Sequence, residues 1–309
     1  MVNKLISFFK DFKNKGKKAK ILFSVIFGTV VSAVLFYIFL PPINPMAEDF
    51  WIYLTVVIAS YALPFLNLGI VSSPMRVGTN VVDSQKLRAN KWVLIAICTP
   101  ILVLILGSLV SSTLFNARSY ASIIQVKEAN FSEDLPETTE ITNIALMDTA
   151  SARILGARTL GSLSEVVSQY TLRESYTQIN YKNSPKKVTN LEYDGFFKWI
   201  GNRNNGIPGM VIVDPVKSSS EYVKFDEPMH YVESAYFNQD LERRLRFLYP
   251  TKIFESISFE LDEEGNPYYI VACSRPQVML FGARDIEEVI IFDPTNGTGE
   301  LYPVSETPS

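Results

Sequence analysis

The chain carries two cysteines, Cys98 and Cys273, and a single histidine, His230, in 309 residues. So little of either residue excludes whole classes of chemistry. No disulfide framework can be built from two cysteines. An ordinary zinc site needs clustered histidines and cysteines, and no such cluster occurs. A serine or cysteine nucleophile usually passes its proton to a histidine. His230 lies in Pro228-Met229-His230-Tyr231 with no motif around it, and no Gly-x-Ser-x-Gly elbow is present. Cys273 is expected to be a small buried apolar residue, with an intermolecular bridge as the alternative.

Charge is missing in a second, more telling way. Residues 21–40, 50–70 and 92–114 contain no charged side chain. A bilayer core needs about 20 apolar residues of helix to cross it. An unpaired peptide group in lipid costs several kcal/mol, so such runs cross as helices. Three transmembrane helices are therefore expected. The first is too long for the apolar core of a signal peptide and has no small-x-small cleavage site after it. Ion or proton transport usually leaves an ionisable residue in a span, and all three lack one. Asn67 and the serines and threonines read as helix-packing contacts.

The flanks set the expected orientation, because lysine and arginine resist translocation. Seven lysines, among them Lys15, Lys17, Lys18 and Lys20, precede the first run, and Arg76, Lys86, Arg88 and Lys91 lie between the second and third. Residues 41–49 hold no basic side chain but include Glu48 and Asp49. Trp51 and Trp92 open the second and third runs, where indole rings favour the headgroup layer. The expectation is a cytoplasmic N-terminus and everything beyond the third span outside, in the membrane of a multi-pass protein. In the tail, Leu5, Phe8, Phe9 and Phe12 share one helical face among lysines. Two readings stand there: a helix lying in the inner leaflet's surface, or a disordered segment that only sets topology.

Residues 1–116 have 11 basic and 4 acidic side chains, whereas residues 117–309 have 18 and 28. An acidic outer domain argues against nucleic acid as its partner, since that needs a basic footprint. About 190 residues are enough to bury a core.

Within that domain a pattern occurs twice. Met210-Val211-Ile212-Val213-Asp214-Pro215 leads through a turn to Glu221, and Val289-Ile290-Ile291-Phe292-Asp293-Pro294 leads through a turn to Glu300. Asp bonds the backbone ahead of it and Pro presets φ, so both read as hairpins. Either two unrelated hairpins share turn chemistry, or the unit is duplicated; the preceding elements favour duplication. Phe237, Leu241, Leu245 and Leu248 have helical spacing ahead of Pro250. Ile257, Phe259 and Leu261 alternate along a strand that turns at Asp262-Glu263-Glu264-Gly265-Asn266. In the earlier unit, a helix rich in Ala and Gly over 148–160 suits close packing, and strands follow at 166–172 and 176–181. A strand is also expected from Tyr120, ahead of a polar linker.

The stretches Asp-Glu-Glu-Gly-Asn-Pro-Tyr-Tyr (262–269) and 289–302 resemble PepSY-like domains, small α+β modules of extracytoplasmic bacterial proteins. The whole chain also looks like a group of multi-pass membrane proteins of Gram-positive bacteria whose role is not established. The resemblance rests further on Gln178-Ile179-Asn180-Tyr181, on Phe197 to Arg203 and on Arg244 to Pro250. Members of that group extend further, so the expectation is a truncated piece. The resulting layout is a basic tail (1–20), three transmembrane helices (21–116), a strand and linker (117–142), a first α+β unit (143–225) and a second, PepSY-like one (226–309).

Gly156 to Ser162 has the glycine spacing of a P-loop without its lysine. The acids at 262–264 lack the alternating oxygens of a calcium loop. No catalytic residue, metal or cofactor is expected. Phe196, Phe197 and Trp199 read first as a hydrophobic face in the core; as a platform instead, Phe197, Trp199 and Arg203 are the candidate partner contacts. The expected partners are the lipid bilayer, a protein or cell-envelope component outside and, through the membrane helices, further copies of the chain. The expected function is binding, which the PepSY resemblance narrows to modulation of an extracytoplasmic peptidase. The alternatives are signalling or assembly through residues 72–91 and, last, an envelope hydrolase.

Overall fold

The computed structural model describes residues 17–65, 69–77, 80–88, 91–124, 128, 130–131 and 144–307. The tail expected to be amphipathic, Lys15 included, lies outside the described residues as far as position 16. The chain forms two compact units, Met1–Tyr120 with Pro276–Ala283, and Ala121–Arg275 with Arg284–Ser309.

In the first unit, α1 (Lys17–Phe39) and α3 (Lys91–Val110) are long and apolar enough to cross a membrane. Only 11% of the apolar stretch of α1 and 6% of that of α3 is buried. A helix in the core of a soluble domain buries most of its apolar side chains, and these expose them. Between them lies α2 (Glu48–Ala62), followed by a 3-10 turn at Leu63–Phe65. The run 50–70 is therefore not one continuous helix. Pro64 has no N–H with which to extend the ladder, and strand β1 (Gly69–Val77) begins soon after it. β1 pairs antiparallel with β2 (Asn80–Arg88), Val77 opposite Asn80, so the segment read as a loop between the second and third runs is a hairpin.

Helices α1 and α2 touch through small and hydroxylated residues. A Cβ at Gly28 would overlap the Tyr61 ring. The Ser24 hydroxyl donates to the Tyr61 carbonyl, and the Tyr53 hydroxyl donates to the Ser32 carbonyl at 3.0 Å. After α3 the chain turns at Ser111 into α4 (Thr113–Ala121), which kinks at Asn116. The strand expected from Tyr120 is not seen there, since Tyr120 and Ala121 finish α4.

The second unit is α+β, with two antiparallel sheets. Asp148 caps α5 (Thr149–Gly161), accepting from the Ser151 N–H at 2.7 Å. A short helix, α6 (Ser164–Val167), precedes β3 (Tyr170–Leu172), β4 (Thr177–Tyr181) and β5 (Ser184–Tyr193). Helix α7 (Phe196–Asn202) leads into β6 (Ile207–Asp214) and β7 (Ser219–Met229). These strands form one sheet in the order β3-β5-β6-β7, with β4 also on β5. β6 is buried on both faces, which is why its sequence is a continuous apolar run. Met210 and Ile212 enter the main core, while Val211 and Val213 pack with Ala152 of α5. Gly156 lets α5 approach, since a Cβ there would strike the Tyr176 hydroxyl.

Helix α8 (Leu241–Leu248), capped by Asp240, then precedes β8 (Ile253–Leu261), β9 (Pro267–Val278), β10 (Gly282–Asp293) and β11 (Thr298–Pro303). They form the second sheet in sequence order. Phe259, Tyr269, Val271, Ile290 and Phe292 join Leu191, Met210, Met229 and Leu245 in a single core. The strand β5 has no apolar signature. Lys187, Thr189 and Asn190 are buried at its centre, and the Thr189 hydroxyl reaches the carbonyls of Arg173 and Ser175, both at 3.0 Å.

Both Asp-Pro hairpins turn in the same way. Asp214 faces Ser219 and Asp293 faces Thr298 across the two turns. The Asp214 carboxylate accepts from the N–H groups of Val216 and Lys217, and that of Asp293 accepts from Thr295 N–H at 2.8 Å. Four residues after each Asp the backbone enters the left-handed region, at Ser218 (φ 53°) and at Gly297 (φ 74°).

Candidate binding surface

Helix α7 is only seven residues long, and its side chains part company accordingly. Trp199 turns inward and is 3% exposed, whereas Phe197 is 84% exposed. Residues two apart lie on opposite sides of a helix, so Phe197 and Trp199 cannot face one partner together. Trp199 is a core residue, which corrects its placement among contact residues. Arg203, just past the helix, holds its guanidinium 5.9 Å from the centre of the Trp199 ring.

The aromatic cluster around Trp199 extends to residues distant in sequence. The ring of Phe196 lies 5.7 Å from that of Phe197 and 5.2 Å from that of Tyr236, while Trp199 lies 5.4 Å from Tyr236 and 5.7 Å from Phe237. Phe237 is 56% exposed and adopts φ 54°. A bulky residue in the left-handed region is uncommon, and such strain persists where its surroundings fix it. Here the Arg243 guanidinium donates to the Phe237 carbonyl at 2.7 Å. Gln239 is the clasp: its side-chain oxygen accepts the Trp199 indole N–H at 3.0 Å, and its amide donates to the Arg203 carbonyl at 3.1 Å. The outcome is a set of exposed apolar side chains, Phe197, Ile200 and Phe237, on elements joined by a buried aromatic base. Tyr236, Phe237 and Gln239 were missed as site residues, because the apolar spacing of Phe237 and Leu241 reads as one helix. The chain instead makes a 3-10 turn at Phe237–Gln239 before α8.

The open face of the second sheet bears a groove of about 480 Å³ lined by Glu260, Asp262, Asp293, Glu300, Tyr268 and Tyr302. Three of its four acids are engaged within their own turn or strand. Asp262 accepts from the N–H groups of Gly265 and Asn266 in its own turn, Asp293 caps the second hairpin, and the Tyr302 hydroxyl donates to Glu300. Burial pushes the carboxyl of Glu260 above the usual carboxylate range. Among the described residues no group of three His, Cys, Asp or Glu side chains is arranged to hold a metal.

The remaining sequence-predicted positions are spread along the first unit. The Trp51 indole donates to the Pro45 carbonyl at 2.8 Å, and the Lys91 ammonium lies 5.5 Å from the ring of the exposed Trp92. Lys17, Lys18 and Lys20 belong to the first turn of α1, and Arg76 and Arg88 to β1 and β2. Cys273 is buried, and burial pushes its thiol up to about 11. Cys98 is exposed on α3.

Comparison of the chain with protein-family models, characterised proteins and solved structures finds no match.

Proposed function

We propose that this chain is a multi-pass membrane protein that presents its α+β unit outside the cell to bind a protein or envelope partner through the aromatic patch. The observation that carries this reading is that Phe197 and Phe237 are exposed while the Trp199 and Phe196 rings that link them belong to a hydrogen-bonded, largely buried cluster. Interface hot spots are rich in aromatic anchors held rigidly, because a fixed ring loses little entropy on binding. In this reading α1 and α3 are two of three crossings. The other is α2 extended by the 3-10 turn to Phe65, 18 residues in all from Glu48 and about 27 Å at the α-helical rise. The basic flanks place the N-terminus and the hairpin β1–β2 in the cytoplasm.

The PepSY-like motifs at 262–269 and 289–302 support a narrower version, in which the bound partner is an extracytoplasmic peptidase. The identity of the crosslinked partner tests this narrower version. Signalling or assembly through 72–91 is the second reading, favoured by the regular hairpin there, which offers a defined cytoplasmic contact. An envelope hydrolase has no nucleophile and base to support it.

Replacement of Phe197 by a photo-crosslinking amino acid in intact cells tests the proposal. A discrete crosslinked partner, lost on Phe237→Ala, is the expected result. Crosslinks that Phe237→Ala leaves unchanged, or none at all, would contradict it.

A further inference from the structure

The first unit includes a segment far away in sequence, Pro276–Ala283, the end of the hairpin where β9 turns into β10. Its tip reads Val278-Met279-Leu280-Phe281, four apolar residues in a row. Phe281 and Leu280 pack on Gly107 of α3, where a Cβ would fall 2.5 Å from the Phe281 ring and 3.1 Å from a Leu280 methyl. Gly107 is three residues before the end of α3, about 4.5 Å below it at the helical rise. The apolar tip therefore lies level with the last turn of that helix.

Its backbone is provided for as well. The Leu280 and Phe281 N–H groups both donate to the Ser111 hydroxyl oxygen, at 3.2 and 3.1 Å. The Tyr120 hydroxyl donates to the Ser111 carbonyl at 2.7 Å. Gly282 permits this approach, because a Cβ there would sit 2.5 Å from the Tyr120 hydroxyl and 2.7 Å from the Ser111 carbonyl. Peptide groups with internal partners are what a turn needs where water is scarce. Of the four apolar tip residues, Met279 alone points outward, 62% exposed at φ 55°, with the polar Gln277 exposed beside it.

Taken with the reading that α3 crosses the bilayer, on which this rests, we infer that the hairpin end Pro276–Ala283 contacts lipid through its tip. Met279 enters the boundary between headgroups and acyl chains at the C-terminal end of α3. The occupant of this apolar surface is lipid, because the tip sits beside the end of a helix whose own side chains face outward. A flexible thioether suits a disordered, apolar boundary.

The test uses the full chain in proteoliposomes, in a Cys98→Ser, Cys273→Ala background, with single cysteines at Met279, Leu106 or Ser218 carrying an environment-sensitive fluorophore. Lipids bearing a nitroxide high on the acyl chain serve as quencher. Blue-shifted, quenched emission at 279 and 106, with water-like, unquenched emission at 218, is expected. Quenching at 106 without quenching at 279 would overturn the inference and leave the crossing of α3 intact; a blue shift at 279 without quenching points to protein contact and has the same consequence. Absence of quenching at 106 would overturn the crossing itself, and the inference with it.

Discussion

The indole N–H of Trp199 donates to the side-chain oxygen of Gln239 at 3.0 Å, and the amide nitrogen of the same glutamine donates to the Arg203 carbonyl at 3.1 Å. One side chain thus ties α7 to the turn that carries Phe237. Gln239→Leu leaves a buried indole donor without its partner, at a cost of about 1–3 kcal/mol. For a domain of this size each kcal/mol lowers Tm by roughly 2–4 °C. Thermal unfolding followed by Trp199 fluorescence, with Trp51 and Trp92 replaced by Phe, checks this. An unchanged Tm would show that Gln239 clasps nothing.

Phe197 and Phe237 separate binding from folding. Phe197→Ala removes a ring that touches solvent on most sides, so stability should move by no more than about 0.5 kcal/mol. Phe237→Gly loses a half-exposed ring but relieves a left-handed backbone that costs about 1–2 kcal/mol in an L-residue. Its net effect on stability should be small. Both variants should weaken partner capture by about 2 kcal/mol or more if the patch is an interface centre. Quantitative crosslinking beside chemical denaturation distinguishes the two effects.

The two Asp-Pro hairpins place Ser218 and Gly297 at the same point of the same turn. Ser218→Gly should stabilise by about 1 kcal/mol by removing left-handed strain. Gly297→Ser should destabilise, since its Cβ would also run into the Tyr231 ring. Denaturant midpoints of both variants check the pair, and a destabilised Ser218→Gly would contradict the shared geometry.

The second unit's carboxylates predict how its stability follows pH. Burial raises Glu260, and it raises Glu192 and Glu233 against the pull of Arg173, and Asp240 against hydrogen bonding and charge from Arg243. Such groups hold a proton more firmly when folded. Their contribution is complete below the unfolded carboxylate pKa and is lost as pH rises through the raised folded values. Asp214 acts in reverse. Burial pushes it upward, but hydrogen bonds from Lys186 and from the Lys217 and Val216 N–H groups outweigh that and hold it below its usual value. Its contribution is lost as pH falls through that lowered value. The unit should therefore be more stable at mildly acidic than at neutral pH and weaken again in strong acid. Glu260→Gln should narrow the difference between mildly acidic and neutral pH. Urea midpoints across that range check it, and a steady rise in stability towards neutral pH would contradict it.

What could be read from the sequence followed its physics closely. The charge-free runs anticipated α1 and α3, Asp148 anticipated the start of α5, and Asp214-Pro215 and Asp293-Pro294 anticipated both hairpins. The strand β5 was hidden, because its buried centre holds Lys187, Thr189 and Asn190: the first two find partners outside the strand, and the Asn190 amide donates to the adjacent Leu191 carbonyl. Periodicity assigned Phe237 to the helix of Leu241 and Leu245, and nothing local announces its left-handed backbone. Phe197 and Trp199 were read as one face, although a single helical turn sends one to solvent and the other to the core. The second run was read as one span, but it contains Pro64, and the α-helix has already ended at Ala62.

The central claim is that the α+β unit stands outside the cell on a membrane anchor. A cysteine-accessibility map tests it most directly, in the Cys98→Ser, Cys273→Ala background with single cysteines at Ser84, Ser218 and Ser305. Ser218 and Ser305 are exposed in the second unit, and Ser84 belongs to β2. With a membrane-impermeant thiol reagent on intact cells, the account predicts labelling at 218 and 305 and none at 84 until the cells are lysed. Labelling at 84 alone would place the domain in the cytoplasm and contradict the account.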